Sequence, residues 1–297
     1  MSFSSNAKAE LCRAPISRKC CALAECYGIV LYCNTFRYDC IRIVTENSEF
    51  AARLPKLFRR AFSLEFDQLP QGDSGKYVFQ ITDPHKLETI FEQYGLSSDG
   101  GVALHLNFGV IEEDCCRNSF LRGAFLAGGS ATDPNKRYHL ELATTHGKVS
   151  RETDALLLDL GFHAKTVERN GSSILYFKQS EGIEDFLTFL GASVCAMGVM
   201  EAKMEKELIN GVNRRVNCET ANLSKVADAA GEQMDAIRRL ERMGRLRELP
   251  EKLQLTARHR LENPEATLTE LAAMCEPPVS KSAINHRMRK LVELAKE

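Results

Sequence analysis

This chain of 297 residues has almost no net charge: 39 Lys and Arg stand against 40 Asp and Glu, leaving −1. No global attraction to nucleic acid follows, so any such attraction must be local. Long apolar runs are missing too. None approaches the roughly 18 residues that a bilayer-spanning helix needs. Met1 to Arg18 carries Ser, Lys and Glu but no apolar core of a secretory signal. The expectation is a cytoplasmic chain that makes no membrane contact. The 11 cysteines include no C-x₂-C pair, and their number is odd and their spacing irregular. That argues against a disulfide framework or a zinc motif. The adjacent pairs Cys20-Cys21 and Cys115-Cys116 point in different directions on a helix and make poor joint ligands. Reduced, partly buried thiols are therefore expected, with neither metal nor cofactor.

What is present is ordinary globular material, 44% hydrophobic and 27% charged, long enough for two or three domains. One stretch organises it: Cys115 to Ser130, CCRNSFLRGAFLAGGS. Phe120, Ala124 and Ala127 recur at helical spacing, as do Leu121, Phe125 and Gly128, so apolar residues cover more than one face and the helix is buried. Gly123 in its middle weakens the helix, and the usual return is close approach of another backbone.

A second copy stands 95 residues earlier, in Cys20 to Thr35, CCALAECYGIVLYCNT. Cys20 matches Cys115, Cys21 matches Cys116 and Gly28 matches Gly123. The correspondence continues through Tyr38 with Tyr138, Thr45 with Thr145, Leu57 with Leu157 and Phe62 with Phe162. This is an internal duplication. Repeat one reads as helix 20–33, an extended pair whose clearer member is 38–45, helix 48–62, a second extended pair 63–69 and 76–82, and helix 84–94. Pro70, Gly72 and Gly75 mark the hairpin between those strands. Repeat two reads as helix 115–127, strands near 129–132 and 138–144, helix 150–160, strands near 162–168 and 173–178, and helix 181–190. Asn170-Gly171 signals its hairpin.

Two glycine-centred helices in an αββαββα order resemble the LAGLIDADG homing endonucleases, with Leu121 to Gly129 over the nine-residue motif and Cys26 to Asn34 over it more faintly. In that family the eighth motif position is acidic and holds the catalytic metal. Here Gly128 and Cys33 stand there, and neither supplies the oxygen ligands that Mg²⁺ requires. Asp133 and Glu141 lie nearby, but an acid beside a turn is commonly just solvated. The family's strands straddle DNA. In this chain Arg37, Arg42, Lys136 and Arg137 are scattered over the strands, and a DNA-contacting and a protein-docking role are both compatible with that.

From Met197 the pattern turns helical. Met197 to Asn213 reads as a helical linker, followed by the polar Asn213-Arg214-Arg215-Val216-Asn217. A long helix capped by Asn222 then carries Leu223, Val226, Ala230, Ile237 and Leu240 on one side and ends at Gly244. Pro250 opens another helix running to Leu261. Residues 210–297 hold 16 Lys and Arg against 13 acids. Thr267-Leu-Thr-Glu270 is a capping box, Pro277-Pro278 forces a turn, and Ser280 caps a last helix with Ile284, Met288, Leu291 and Leu294 inward. No acid occurs from Val279 to Leu291. This is the layout of a helix-turn-helix, whose second helix presents its N-terminal residues to the major groove. Lys281 and Ser282 suit phosphates or bases, Asn285 an adenine edge, and Arg287 or Arg289 a guanine or a phosphate. His286 and Lys290 complete the face, and Arg214 and Arg215 are further candidates for DNA contact.

The full length resembles the WhiA family: the opening MSFSSNAKAEL and RKCCALAE, the linker NRRVNCETAN from Asn213 to Asn222, and VSKSAINHRMRKL from Val279 to Leu291. The resemblance implies an α+β fold, a duplicated αββαββα LAGLIDADG-like two-lobed domain followed by an all-α helix-turn-helix domain. The expected boundaries are 1–18 as an N-terminal extension, 19–100 and 115–195 as the two repeats joined by connector 101–114, 196–221 as linker, and 222–297 as the DNA-binding domain with its helix-turn-helix at 267–297. It also implies a bacterial, nucleoid-associated regulator without nuclease activity, tied to sporulation, cell division and chromosome segregation. Double-stranded DNA is the expected partner, with another transcription factor or RNA polymerase as further candidates. The alternatives are a protein-binding scaffold of the division machinery and an active endonuclease. One departure is that Cys26, Tyr27 and Cys33 make the first-repeat motif poorer than the family's pattern.

Overall fold

A computed structural model describes residues 2–70, 75–96 and 104–296. The chain divides into two compact units, Met1–Lys206 and Glu207–Glu297.

In the first unit, α1 (Phe3–Leu11) precedes repeat one. The sequence reading has no helix there, because only Ala7 and Leu11 of this short polar segment are buried. Ser2 caps it. Repeat one then runs α2 (Lys19–Tyr32), β1 (Thr35–Arg37), β2 (Cys40–Thr45), α3 (Ser48–Phe62), β3 (Tyr77–Ile81) and α4 (Pro84–Gln93). Asn47 caps α3 and Asp83 caps α4, with Pro84 in its first turn. The sheet has three strands in the order β1-β2-β3. The expected strand 63–69 does not form. Ser63 takes a left-handed conformation at the end of α3, and only an isolated bridge joins Gln68 to Gln80. Gly72 of the expected hairpin and Gly101 of the expected connector lie outside the described residues.

Repeat two runs α5 (Asp114–Gly128), β4 (Gly129–Ala131), β5 (Leu140–Thr144), α6 (Gly147–Asp159), β6 (Lys165–Arg169), β7 (Ser172–Phe177) and α7 (Ser180–Leu190). Its antiparallel sheet has the order β4-β5-β7-β6. Asn170 and Gly171, both at positive φ, turn β6 into β7. Strand β6 is exposed along its whole length, as an edge strand can be. Helices α2 and α5 lie side by side in one continuous core that includes Ile29, Leu31, Phe120, Ala124 and Phe125. Gly28 and Gly123 make that approach possible, the reason read from the sequence for a glycine in mid-helix.

Helix α8 (Ser193–Arg242) begins in the first unit and continues into the second. It is unbroken across the stretch read as linker and polar segment, so Asn222 lies inside a helix rather than capping one. Nothing in NRRVNCETAN breaks a helix, and its polar side chains are all exposed. Leu223 and Val226, read on one side with Ala230, Ile237 and Leu240, are exposed. Ala230, Ile237 and Leu240 are buried.

The second unit packs that last part of α8 with α9 (Glu251–Glu262), α10 (Leu268–Ala273) and α11 (Lys281–Leu294). Its core joins Ile237, Leu240, Ala257, Leu271, Ala272, Cys275, Ile284, Met288 and Leu291.

Candidate nucleic-acid interface

The terminal helices are fixed by local bonds legible in the sequence. Thr267 Oγ1 accepts the Glu270 N–H at 3.3 Å, and Glu270 Oε2 accepts the Thr267 N–H at 2.7 Å. This reciprocal pair is a full capping box. The backbone N–H and the hydroxyl of Thr267 hold the Glu270 carboxyl below its ordinary value. The Val279 N–H donates to the Ala272 carbonyl at 3.0 Å, closing the turn that carries the proline pair. Ser280 Oγ then accepts the Ala283 N–H at 3.2 Å and starts α11.

With Ile284, Met288 and Leu291 inward, helical geometry dictates the rest. Lys281, Ser282, His286, Arg289 and Lys290 are exposed, and Asn285 is half-buried. Arg287 stands apart. It is half-buried, its Nη1 lies 3.4 Å from Thr256 Oγ1, and it lines a groove with Lys252, His259 and Met274. Arg214 and Arg215 are exposed on α8.

Sequence reasoning missed Arg260, the largest fully buried side chain among the described residues. It donates from Nε to Gln233 Oε1 at 3.1 Å and from Nη1 to the Ala266 carbonyl at 2.6 Å, tying α8 and α9 to the loop before α10. Burial pushes its pKa down. No sequence signal sets it apart from the arginines around it.

The two motif ends of the first unit, Gly128 and Cys33, carry no carboxylate. A Cβ on Gly128 would stand 2.4 Å from the Ala143 carbonyl oxygen and 3.0 Å from that of Tyr32, so backbone fills the space of a carboxylate-bearing side chain. Cys33 is buried with its Sγ 3.2 Å and 3.1 Å from the carbonyls of Val30 and Thr35. Burial pushes its thiol up to about 12. Neither position fits a hard divalent cation. Glu141 is held by His139 Nε2 at 3.0 Å and Ser130 Oγ at 3.1 Å, within its own sheet.

Three of the free thiols come together. Cys20, Cys115 and Cys116, drawn from both repeats, bring their sulfurs within 4.8 Å of one another. Neighbours on one helix are poor joint ligands, but two helices side by side place one pair against the other.

These two units define a class: a two-repeat LAGLIDADG-like domain without acidic residues at its motif ends, joined to a helix-turn-helix module. A family model described as the WhiA LAGLIDADG-like domain matches residues 117–208, and one described as the WhiA C-terminal HTH domain matches residues 212–295. The chain is 37% identical to the "Probable cell division protein WhiA" of Ruminiclostridium cellulolyticum, over 99% of this chain and 97% of that one. It is 34% identical to the protein of the same name in Alkaliphilus metalliredigens, over 99% and 98%. A crystal structure of full-length DUF199/WhiA from Thermatoga maritima superposes with a TM-score of 0.60 at 25% identity, covering 100% of this chain and 98% of that one. The chain belongs to the WhiA family.

Proposed function

We propose that the chain is a sequence-preferring DNA-binding regulator that acts in bacterial cell division, chromosome segregation or sporulation, and that it has no nuclease activity. The observation that carries this reading is α11: a helix locked by Ser280 and the capping box before it, with Lys281, Ser282, His286, Arg289 and Lys290 exposed and no acid before Glu293. Such a face can sit in a major groove, its cations on phosphates and Asn285 on a base edge. Arg287, held against Thr256, has the secondary part of shaping that surface. Arg214 and Arg215 add phosphate contacts if DNA extends that far. The DNA-binding region is taken as residues 222–297, with the helix-turn-helix at 267–297. Relatives named as cell division proteins support the cellular setting. Among the described residues no helix is long and apolar enough to cross a membrane, which is compatible with a cytoplasmic, nucleoid-associated protein.

The test is a titration of labelled genomic fragments with the full chain, with Mg²⁺ present and the products run on a denaturing gel. The expected result is selective retention of intact DNA. Asn285→Ala should lower affinity for the selected fragments by about 1–3 kcal/mol while leaving non-selected DNA unchanged. Lys281→Ala should weaken all DNA alike and make the salt dependence shallower. Cleaved products would overturn the non-nuclease reading. Affinity no greater than that of a similarly charged control protein would return the chain to the scaffold reading.

A further inference from the structure

Four thiols meet at one end of the duplicated helices. Cys20 and Cys21 lie in the first turn of α2, and Cys115 and Cys116 in the first turn of α5. Because α2 and α5 run side by side with each glycine against the backbone of the other helix, the two first turns stand next to each other. The Cys20, Cys115 and Cys116 sulfurs all lie within 4.8 Å of one another. Cys115 and Cys116 are 3.9 Å apart, and Cys21 lies 4.0 Å from Cys20. A tetrahedral zinc ion with Zn–S bonds of about 2.3 Å sets its ligand sulfurs ~3.8 Å apart. Side-chain rotation covers the small remaining difference for Cys20, Cys115 and Cys116, and a rotation of Cys21, 4.0 Å from Cys20, brings in the fourth sulfur. All four are free thiols. The sulfurs stand too close together to embrace a multi-iron cluster, and an all-thiolate tetrahedron selects a soft divalent ion.

Burial pushes the Cys21 and Cys116 thiols up, but two features of the surroundings favour negative sulfur. Each pair sits at a helix N-terminus that has no side-chain cap, so the positive end of each helix faces the cluster. The Arg18 guanidinium lies 3.9 Å from Cys115 Sγ. Access is open as well, since Cys20 is exposed while Cys116 is buried. The cluster stands at the opposite end of α2 and α5 from Cys33 and Gly128, so it has no connection with the metal positions of the LAGLIDADG motif.

We propose that Cys20, Cys115 and Cys116, with Cys21 as fourth ligand, bind one zinc-class divalent ion that clasps the two repeats together at the first turns of α2 and α5. Each coordinating thiol releases its proton to solvent as its sulfur–metal bond forms, and no oxidant or reductant takes part. The ion replaces loose thiol packing by four bonds that join residues from both halves of the duplication. It thereby stabilises the first unit independently of any DNA contact made by the second.

The test is a titration of the full, chelator-treated chain with Co²⁺ under a phosphine reductant, followed by displacement with Zn²⁺. One equivalent should give the intense visible bands and sulfur-to-cobalt charge transfer of a tetrahedral thiolate site, and Zn²⁺ should bleach them. Cys20→Ser, at an exposed position that tolerates the change, and Cys115→Ser should each weaken Co²⁺ binding by at least about 10-fold. Cys218→Ser, on the exposed face of α8, should titrate as the parent does. Zn²⁺ should raise the melting temperature of the parent but not of Cys20→Ser, provided circular dichroism shows the variant folded. Absence of tetrahedral bands would overturn the proposal, as would Cys20→Ser and Cys115→Ser binding Co²⁺ like the parent.

Discussion

Gly28 lies against the backbone of Phe120: a Cβ there would stand 2.0 Å from the Phe120 carbonyl oxygen and 2.7 Å from the Ala124 nitrogen. The contact has a mirror image. A Cβ on Gly123 would stand 2.0 Å from the carbonyl oxygen of Glu25, and Glu25 precedes Gly28 by the same three residues by which Phe120 precedes Gly123. The duplication in sequence is thus a reciprocal contact in space, of the kind that a two-fold axis generates between identical subunits.

Both neighbours are backbone atoms in buried helices and cannot step aside as a flexible side chain would. Gly28→Ala or Gly123→Ala must push α2 and α5 apart, and each should cost about 3 kcal/mol. Gly211→Ala is the contrast. No atom lies within 4 Å of its Cβ position in α8, so helix propensity alone acts and should stabilise by about 1 kcal/mol. Urea midpoints of the three variants check this. Equal midpoints for Gly28→Ala and Gly211→Ala would refute the close-approach account.

Glu25 also faces inward with its side chain. Its carboxylate accepts Arg53 Nε at 2.6 Å and Nη2 at 2.8 Å, with Arg122 Nη1 at 3.8 Å. Arg53 goes on to donate to the carbonyls of Cys12 and Ala14, pinning the chain after α1. Arg53→Met would leave a buried carboxylate without its bidentate partner, and a loss of about 3–5 kcal/mol is expected. A loss under about 1 kcal/mol by chemical denaturation would mean that Arg122 or water takes over the carboxylate.

That ion pair was invisible in the sequence, and the reason is general to this chain. The repeats were legible because a glycine between apolar neighbours and a doubled cysteine are rare enough to align. Ser280 and Thr267 announced helix starts because capping is a local interaction. The glycine approach was readable for the same reason, since a mid-helix glycine needs an explanation on its own helix. Glu25–Arg53, Arg260 and the joining of Cys20 with Cys115 depend on which helices become neighbours, and no window of sequence contains both partners. Helix α8 failed differently. Polar residues such as Asn213 and Asn217 look like a break, yet on a solvated helix they cost little. The missing strand at 63–69 turns on Ser63, whose left-handed conformation no serine advertises.

Asp67 gives the first unit a dependence on pH. Partial burial pushes its carboxyl upward, but bonds from Lys86 Nζ and the N–H groups of Thr82 at 2.6 Å and Asp83 at 2.8 Å prevail and hold it below its ordinary value. A carboxyl whose folded pKa is depressed stabilises the fold fully above its unfolded value of about 4. That contribution disappears as pH falls through the lower folded value. Asp67→Asn should therefore destabilise by ~1 kcal/mol at pH 7 and by much less at pH 3. Denaturation of parent and variant at both pH values decides it. A difference that does not shrink in acid would show that the charge on Asp67 contributes nothing.

Restoring the acid at the end of the second motif should not restore nuclease chemistry. In Gly128→Asp the new Cβ would meet the Ala143 carbonyl oxygen at 2.4 Å and Tyr32 atoms at 3.0 Å and 3.1 Å, so β5 or the end of α2 must move before the carboxylate can point anywhere useful. The cost should be about 1–3 kcal/mol. The opposite motif end would still offer only Cys33, a buried thiol pushed up to about 12 that stays protonated at neutral pH and is the wrong ligand for a hard cation. The variant should melt below the parent and leave supercoiled plasmid intact in Mg²⁺ or Mn²⁺. Metal-dependent nicking by Gly128→Asp would mean that a single acid suffices and that the backbone around Gly128 yields. An unchanged melting temperature without nicking would place the barrier to catalysis at Cys33 alone.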